Sequence, residues 1–391
     1  MNEANTLGSV QFLSLLRGFV QDAGPVLDGA ADAAALWKQA AQQNLLPVLA
    51  YMNRRWAFLT DEAVVNRLNG VLYGTLAASA ERCARFEALS AALTEENIRH
   101  LPVKGYYLRE CYPVPELRTF GDIDVLIHPE DRARTDALMK RLGYAPQQNW
   151  EPTYAYQKGM EHYELHTNLM DADLDGRADL RAYFAQAWQH ADAEAGLRFR
   201  PEAEFHFVYL VCHLAKHLYG GGAGLRMYLD LALFLRRYDG ELDWEKIAAA
   251  FDDLRLTAFF HTAMNACRVW FGSETVCQLP EPDEESLQAL ADYALGADLF
   301  GHLRDHTAVQ VRKQSSRGGA LRRMLFPPAE EIEARYTFLQ KRRWLLPLAW
   351  IVRVFANLRL LPQRLRELRR VAHADEQETR SYASFMESIG L

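Results

Sequence analysis

The chain has 391 residues, 49% of them hydrophobic and 24% charged, enough for one large domain or two to three smaller ones with separate cores. Its formal net charge of −7 argues against bulk nucleic-acid binding, which needs concentrated Lys and Arg, while leaving room for a local basic groove. No apolar run reaches the roughly 18 residues of a spanning helix.

The N-terminus, MNEANTLGSVQFLSLLRGF, lacks the basic region that precedes the apolar stretch of a secretory signal. The five cysteines, at 83, 111, 212, 267 and 277, form no CxxC pair and read as reduced thiols of a cytoplasmic protein. Residues 8–60 carry apolar residues at helical spacing, and 61–96 reads as one long helix. Residues 1–97 are therefore expected to form a helical N-terminal region.

The pattern changes at Arg99. HLPVK reads as a short strand, and Gly105 opens the helix YYLREC, which Pro113 and Pro115 break. Arg118 to Gly121 is a loop, and Ile123 to Ile127 a strand. Pro129 starts a helix with Glu130 and Asp131 in its first turn, where acidic side chains complement the helix dipole. Gly143 stops it. Residues 153–157 and 162–169 read as two further strands, so 98–200 is expected to be a small α/β core.

From Glu202 the chain turns helical again, through EAEFHFVYLVCHLAKHLY and, after the glycine-rich break at 220–224, LRMYLDLALFLRRY. Helices at 244–252 and 254–271 follow, then ESLQALADYAL. Residues 311–320 are polar, and LFPPAEEIEARYTFLQ resumes order. The helical C-terminal region is expected to reach 372, with a flexible tail over 373–391. The segment 344–361, WLLPLAWIVRVFANLRLL, follows three basic residues. It reads either as a packed helix or as a peripheral contact with a membrane or a protein.

Three motifs carry chemistry. In GDIDVLI, Asp122 and Asp124 alternate on one strand and so share a side, close enough to hold divalent cations that relieve their mutual repulsion. VKG places Lys104 and Gly105 where a strand turns into a helix, a setting for phosphate contact as well as for a solvated lysine at a turn. In ELH, Glu164 and His166 share a strand face: Glu164 is a third acid, and His166 a contact to substrate, metal or ligand. In the helical region, His213 and His217 are four residues apart on one face, a spacing that suits a metal but without a nearby acid reads better as a buried or substrate-pocket role; Arg226 and Asp230, also four apart, read either as a helix-surface pair or packing contact or as part of an acceptor pocket.

Taken together, VKG … LRTFGDIDVLIHPED … LGY … ELH resembles an uncharacterised bacterial nucleotidyltransferase family of the DNA polymerase β-like superfamily. The resemblance implies an α+β fold, a small mixed-sheet core flanked by mainly helical N- and C-terminal regions. It implies Asp122, Asp124 and Glu164 as the catalytic and metal-binding acids with Mg2+ or Mn2+. Lys104, Gly105, Arg118 and Gly121 would contact the nucleotide, and His166 matches a histidine usual in this branch. Gly105 is followed by Tyr106 where the superfamily commonly has serine or a second glycine, and it stands further from the acid pair.

The activity expected is transfer of a nucleoside monophosphate from an NTP to an unidentified acceptor. Two other readings stand beside it: a non-catalytic binding or scaffold protein on the same fold, and a toxin-like enzyme modifying tRNA. A phosphotransferase is disfavoured by the absence of GxGxxG and GxxxxGK[ST] loops. His166, His213, His217, Arg226 and Asp230 are the candidate acceptor-pocket residues.

Overall fold

The computed structural model describes residues 3–119, 121–170, 174, 179–220, 222–296, 322, 325–327, 329–332, 339, 342–356 and 376–391. They divide into two compact units: one holds 1–218, 222–301 and 389–391, the other 219–221 and 302–388.

In the first unit, helices α1 (Glu3–Gln21), α2 (Ala33–Gln42), α3 (Leu46–Trp56) and α4 (Glu62–Glu95) precede the sheet. α4 starts where Asp61 accepts a hydrogen bond from the Val64 N–H, a side-chain cap for one of the orphan donors of the first turn. At 34 residues it runs roughly 50 Å. That is long enough to back the whole sheet.

The sheet has seven strands: β1 (His100–Pro102), β2 (Ile123–Ile127), β3 (Ala145–Trp150), β4 (Thr153–Lys158), β5 (Glu161–His166), β6 (Ala191–Ala195) and β7 (Arg198–Pro201). Their spatial order is β3-β4-β5-β2-β1-β7-β6. β2 pairs parallel with β5 and antiparallel with β1, so the sheet is mixed and the fold is α+β. The short helix α5 (Gly105–Leu108) follows β1, and α6 (Arg132–Arg141) follows β2.

One face of the sheet is apolar. Ile123, Val125 and Ile127 of β2 and Tyr163 and Leu165 of β5 pack with Phe86, Leu89 and Leu93 of α4 and Leu138 and Met139 of α6. Each fully buried aliphatic side chain contributes about 1.5–3 kcal/mol, so this layer anchors the alternate residues on the opposite face. α6 ends as the sequence predicts. Gly143, at φ 87°, donates to Lys140 O and Tyr144 donates to Met139 O, the paired bonds that close a helix on a left-handed residue. Pro129–Asp131 forms a single 3-10 turn leading into α6.

α7 (Leu180–Phe184) lies between β5 and β6, and after the sheet come α8 (Ala203–Gly220), α9 (Leu225–Tyr238), α10 (Trp244–Asp253), α11 (Thr257–Phe271) and α12 (Glu284–Gly296). Most of α8 is buried, from Phe205 to Leu218.

In the second unit, a helix at Leu346–Ala356 leaves Leu348, Ile351 and Val352 exposed, with Trp344 exposed just before it. The Trp350 ring donates to the Pro327 carbonyl. The stretch read as a flexible tail carries a helix at Glu376–Ser388. Residues 311–320 and 357–361 lie outside the described residues, as do 373–375. No described helix is long and apolar enough to cross a membrane, and all five cysteines are free thiols.

Candidate active site

β2 and β5 run parallel with Asp124 opposite Glu164 and Leu126 opposite His166. The strand alternation that buries Val125 and Leu165 below the sheet therefore lifts Asp124, Glu164 and His166 above it. There they line a cavity of about 420 Å3, together with Asp122, Lys104 and Gly105. Its far side comes from α8, α9 and the loop before β2: His213, Lys216, His217, Arg118, Arg226 and Asp230. A larger cavity of about 810 Å3 between α1, α11 and α12 contains none of these carboxylates, so the chemistry belongs to the smaller one.

Asp124 is the hub of the acid side. Its Oδ1 receives the Lys104 ammonium at 2.6 Å and lies 2.9 Å from His166 Nε2. Burial alone would raise the pKa of this carboxyl, but the Lys104 charge and the His166 hydrogen bond outweigh it and hold Asp124 well below the usual range. Burial pulls Lys104 down in turn, and Asp124, Tyr209 and Asp122 together leave its ammonium above its ordinary value. Glu164 behaves oppositely: burial, then the charges of Asp124 and Asp122, push its pKa up. Its Oε2 lies 3.7 Å from His166 Nε2.

Lys104 also stands in an unusual backbone state. Its φ of 51° and ψ of −121° fall where glycine is ordinarily needed. Four contacts hold it: its N–H donates to His206 Nε2 at 3.2 Å, its carbonyl accepts from Tyr107 N at 3.2 Å and from Leu108 N at 2.9 Å, and its ammonium reaches Asp124. His206 acts as acceptor and so is neutral, in line with burial depressing its pKa to about 3.

The donor set fits a divalent cation. Asp124, Glu164 and His166 each offer a ligand atom within 4.8 Å of the others, and so do Asp122, His162 and Glu164. Glu164 belongs to both groups, one with each aspartate. His162 was missed, although it continues the same alternation along β5 as Glu164 and His166.

On the far side, Asp230 is engaged by three donors: Arg118 NH2 at 2.7 Å, Arg118 Nε at 3.2 Å and the Tyr112 hydroxyl at 2.8 Å. The helical spacing suggested Arg226 as its partner. Instead Arg226 NH1 donates to the Thr119 carbonyl at 3.0 Å, while its Nε is buried without a partner. The forked guanidinium of Arg118 matches both carboxylate oxygens, which favours it over a helix neighbour. His213 and His217 face each other, Nε2 to Nε2, at 3.0 Å. Burial lowers both, His217 to about 4, so both are neutral imidazoles near pH 7. Gly121 is exposed and is not among the residues lining the cavity.

Residues 29–272, more than half of the chain, match the family described as uncharacterised nucleotidyltransferase. The chain belongs to that family. No curated protein matches it. Among solved structures, the solution structure of the antibiotic-resistance factor ANT(2'')-Ia is similar at 17% identity, covering 48% of this chain and 99% of that one with a TM-score of 0.33. That likeness is too slight to bear on activity. Membership of a nucleotidyltransferase family, together with carboxylates grouped at ligand distance on β2 and β5, supports a transferase in general terms.

Proposed function

We propose that this member of the family transfers a nucleoside monophosphate from an NTP to an acceptor hydroxyl, with Asp122, Asp124 and Glu164 as the catalytic acids. The observation that carries the reading is that these three carboxylates and His166 line one end of a single cavity, with Glu164 common to both groups of possible metal ligands. Mg2+ or Mn2+ held there would offset the carboxylate and phosphate charge and polarise the reacting phosphate.

The residues of the chain do the rest. Lys104 and His166 fix the Asp124 carboxylate, so its orientation is set before substrate arrives. Glu164, between the two aspartates, would ligate the metal or help take the acceptor's proton. In the transfer, the acceptor oxygen bonds to the α-phosphorus, the bond to the β-phosphate oxygen breaks, and pyrophosphate leaves. Gly105 lines the cavity beside Lys104, where a missing side chain leaves room for the nucleotide.

A second reading is a binding protein on this fold. It is favoured by one observation: Asp124 is already neutralised internally by Lys104.

Binding of the four NTPs with Mg2+ or Mn2+, compared between wild type and the Asp122→Ala/Asp124→Ala double variant, separates the two. The transferase reading expects cation-dependent binding of at least one NTP, lost in the variant. Cation-independent binding, or none by a folded wild type, supports the second reading.

A further inference from the structure

The cavity is electrically two-ended. At the strand end, Asp122, Asp124 and Glu164 outnumber Lys104. At the helical end, Arg118 and Arg226 outnumber Asp230. The histidines between do not redress this, because burial keeps His213 and His217 neutral. A cation relieves the first end. The second end needs an anion.

Arg226 is where that need is sharpest. Asp230 is occupied by Arg118 and Tyr112, so Arg226 lies beside a second guanidinium with, among the described residues, only the Thr119 carbonyl for a hydrogen bond. Its Nε is buried and unsatisfied. That nitrogen is enclosed by protein, as is the Nε of Arg109, so what Arg226 offers a ligand is the part of its side chain that lines the cavity. Burial and the charge of Arg118 bring Arg226 down to about 10, outweighing the opposite pull of Asp230, Tyr112 and Asp122. Arg226 is also the second residue of α9, where the helix dipole adds to the same field.

We propose that Arg226, supported by Arg118 and Lys216, binds the polyphosphate tail of the nucleotide donor, and that Asp230 and Tyr112 are positioning residues that hold Arg118 rather than ligands of the acceptor. This rests on the transferase reading. It moves Arg226 and Asp230 from the acceptor's side of the cavity to the donor's. A guanidinium offers phosphate oxygens the planar fork that the Thr119 carbonyl leaves unused. The triphosphate then bridges the two ends, its α-phosphate toward the carboxylates and its terminal phosphates on α9.

Inorganic tripolyphosphate, titrated calorimetrically without metal, tests the basic end alone. Wild type is expected to bind it, Arg226→Gln to bind at least tenfold more weakly, and Arg226→Lys to fall between. Asp122→Asn should lose Mn2+ binding yet keep tripolyphosphate. If Arg226→Gln is unstable, the Arg226→Lys comparison and the rise in wild-type melting temperature with tripolyphosphate carry the test. Unchanged affinity in Arg226→Gln overturns the inference and leaves the transferase reading standing. So does a wild type that binds NTP with Mn2+ but not tripolyphosphate. NTP displacing tripolyphosphate assigns the site to the donor; simultaneous binding of both assigns it to an anionic acceptor and overturns the proposal. A wild type that binds neither removes the transferase reading and the inference with it.

Discussion

On the strand wall of the cavity, Asp124 is neutralised by Lys104 from 20 residues upstream, and two more carboxylates stand close by. On the helical wall, Asp230 is neutralised by Arg118 from 112 residues upstream, and a second arginine stands close by. Each wall has one satisfied ion pair and a surplus of the sign that the pair leaves over. The difference is in support: the strand wall is tied by register and the apolar layer beneath it, the helical wall by a single carboxylate shared among Arg118 and Tyr112. Removing one carboxylate from each wall should therefore have unequal effects.

The largest effect is expected from Asp230→Asn. It leaves Arg118 and Arg226 without their hydrogen-bonded or nearest counter-charge, Asp122 being the acid that still acts on both, and should destabilise the fold by about 3–5 kcal/mol in urea unfolding. The equivalent Asp124→Asn leaves Lys104 near Asp122 and Glu164, which take over part of its charge, so a smaller loss is expected. Equal losses would break the comparison.

A smaller effect isolates the strained turn. Lys104→Gly and Lys104→Ala both delete the ion pair, but only glycine relaxes at φ 51°, ψ −121°. Glycine should be more stable than alanine by about 1 kcal/mol, after allowance for the greater entropy of its unfolded chain. Alanine as the more stable of the two would mean that the turn carries no strain.

The last effect is a pH slope rather than a single difference in stability. His206 is held neutral in the fold with a pKa near 3, against an ordinary value of 6.5. Between those values the unfolded chain takes up a proton that the folded one refuses. Its contribution is thus present above about pH 6.5 and lost as pH falls toward 3. His206→Gln keeps an acceptor for the Lys104 N–H and should flatten the decline of the urea midpoint between pH 6.5 and 4.5. An unchanged slope would assign the acid sensitivity to other groups.

How much of this was legible in the sequence follows from how local each signal is. Alternation along GDIDVLI and HYELH identifies both site strands, because the residues between the acids are the apolar ones that anchor them. β3 (APQQNW) and β6 (ADAEA) lie at the sheet's edge side, carry little apolar alternation, and escaped notice. The ion pairs were out of reach for a different reason. Sequence spacing suggested Arg226 for Asp230, whereas the partner chosen arrives from a loop more than a hundred residues earlier. His162 was within reach and was passed over.

The parallel register of β2 on β5 has a consequence for how the family can vary. Tyr163 and Leu165 belong to the core while Glu164 and His166 belong to the site, on neighbouring positions of one strand. A single-residue insertion or deletion inside β5 would exchange the two sets, putting carboxylate into the apolar layer and tyrosine into the cavity. Length changes are thus confined to the turns at either end, such as Gly159–Met160, and a lineage that abandons the chemistry must do so by substitution, keeping the frame of the strand intact.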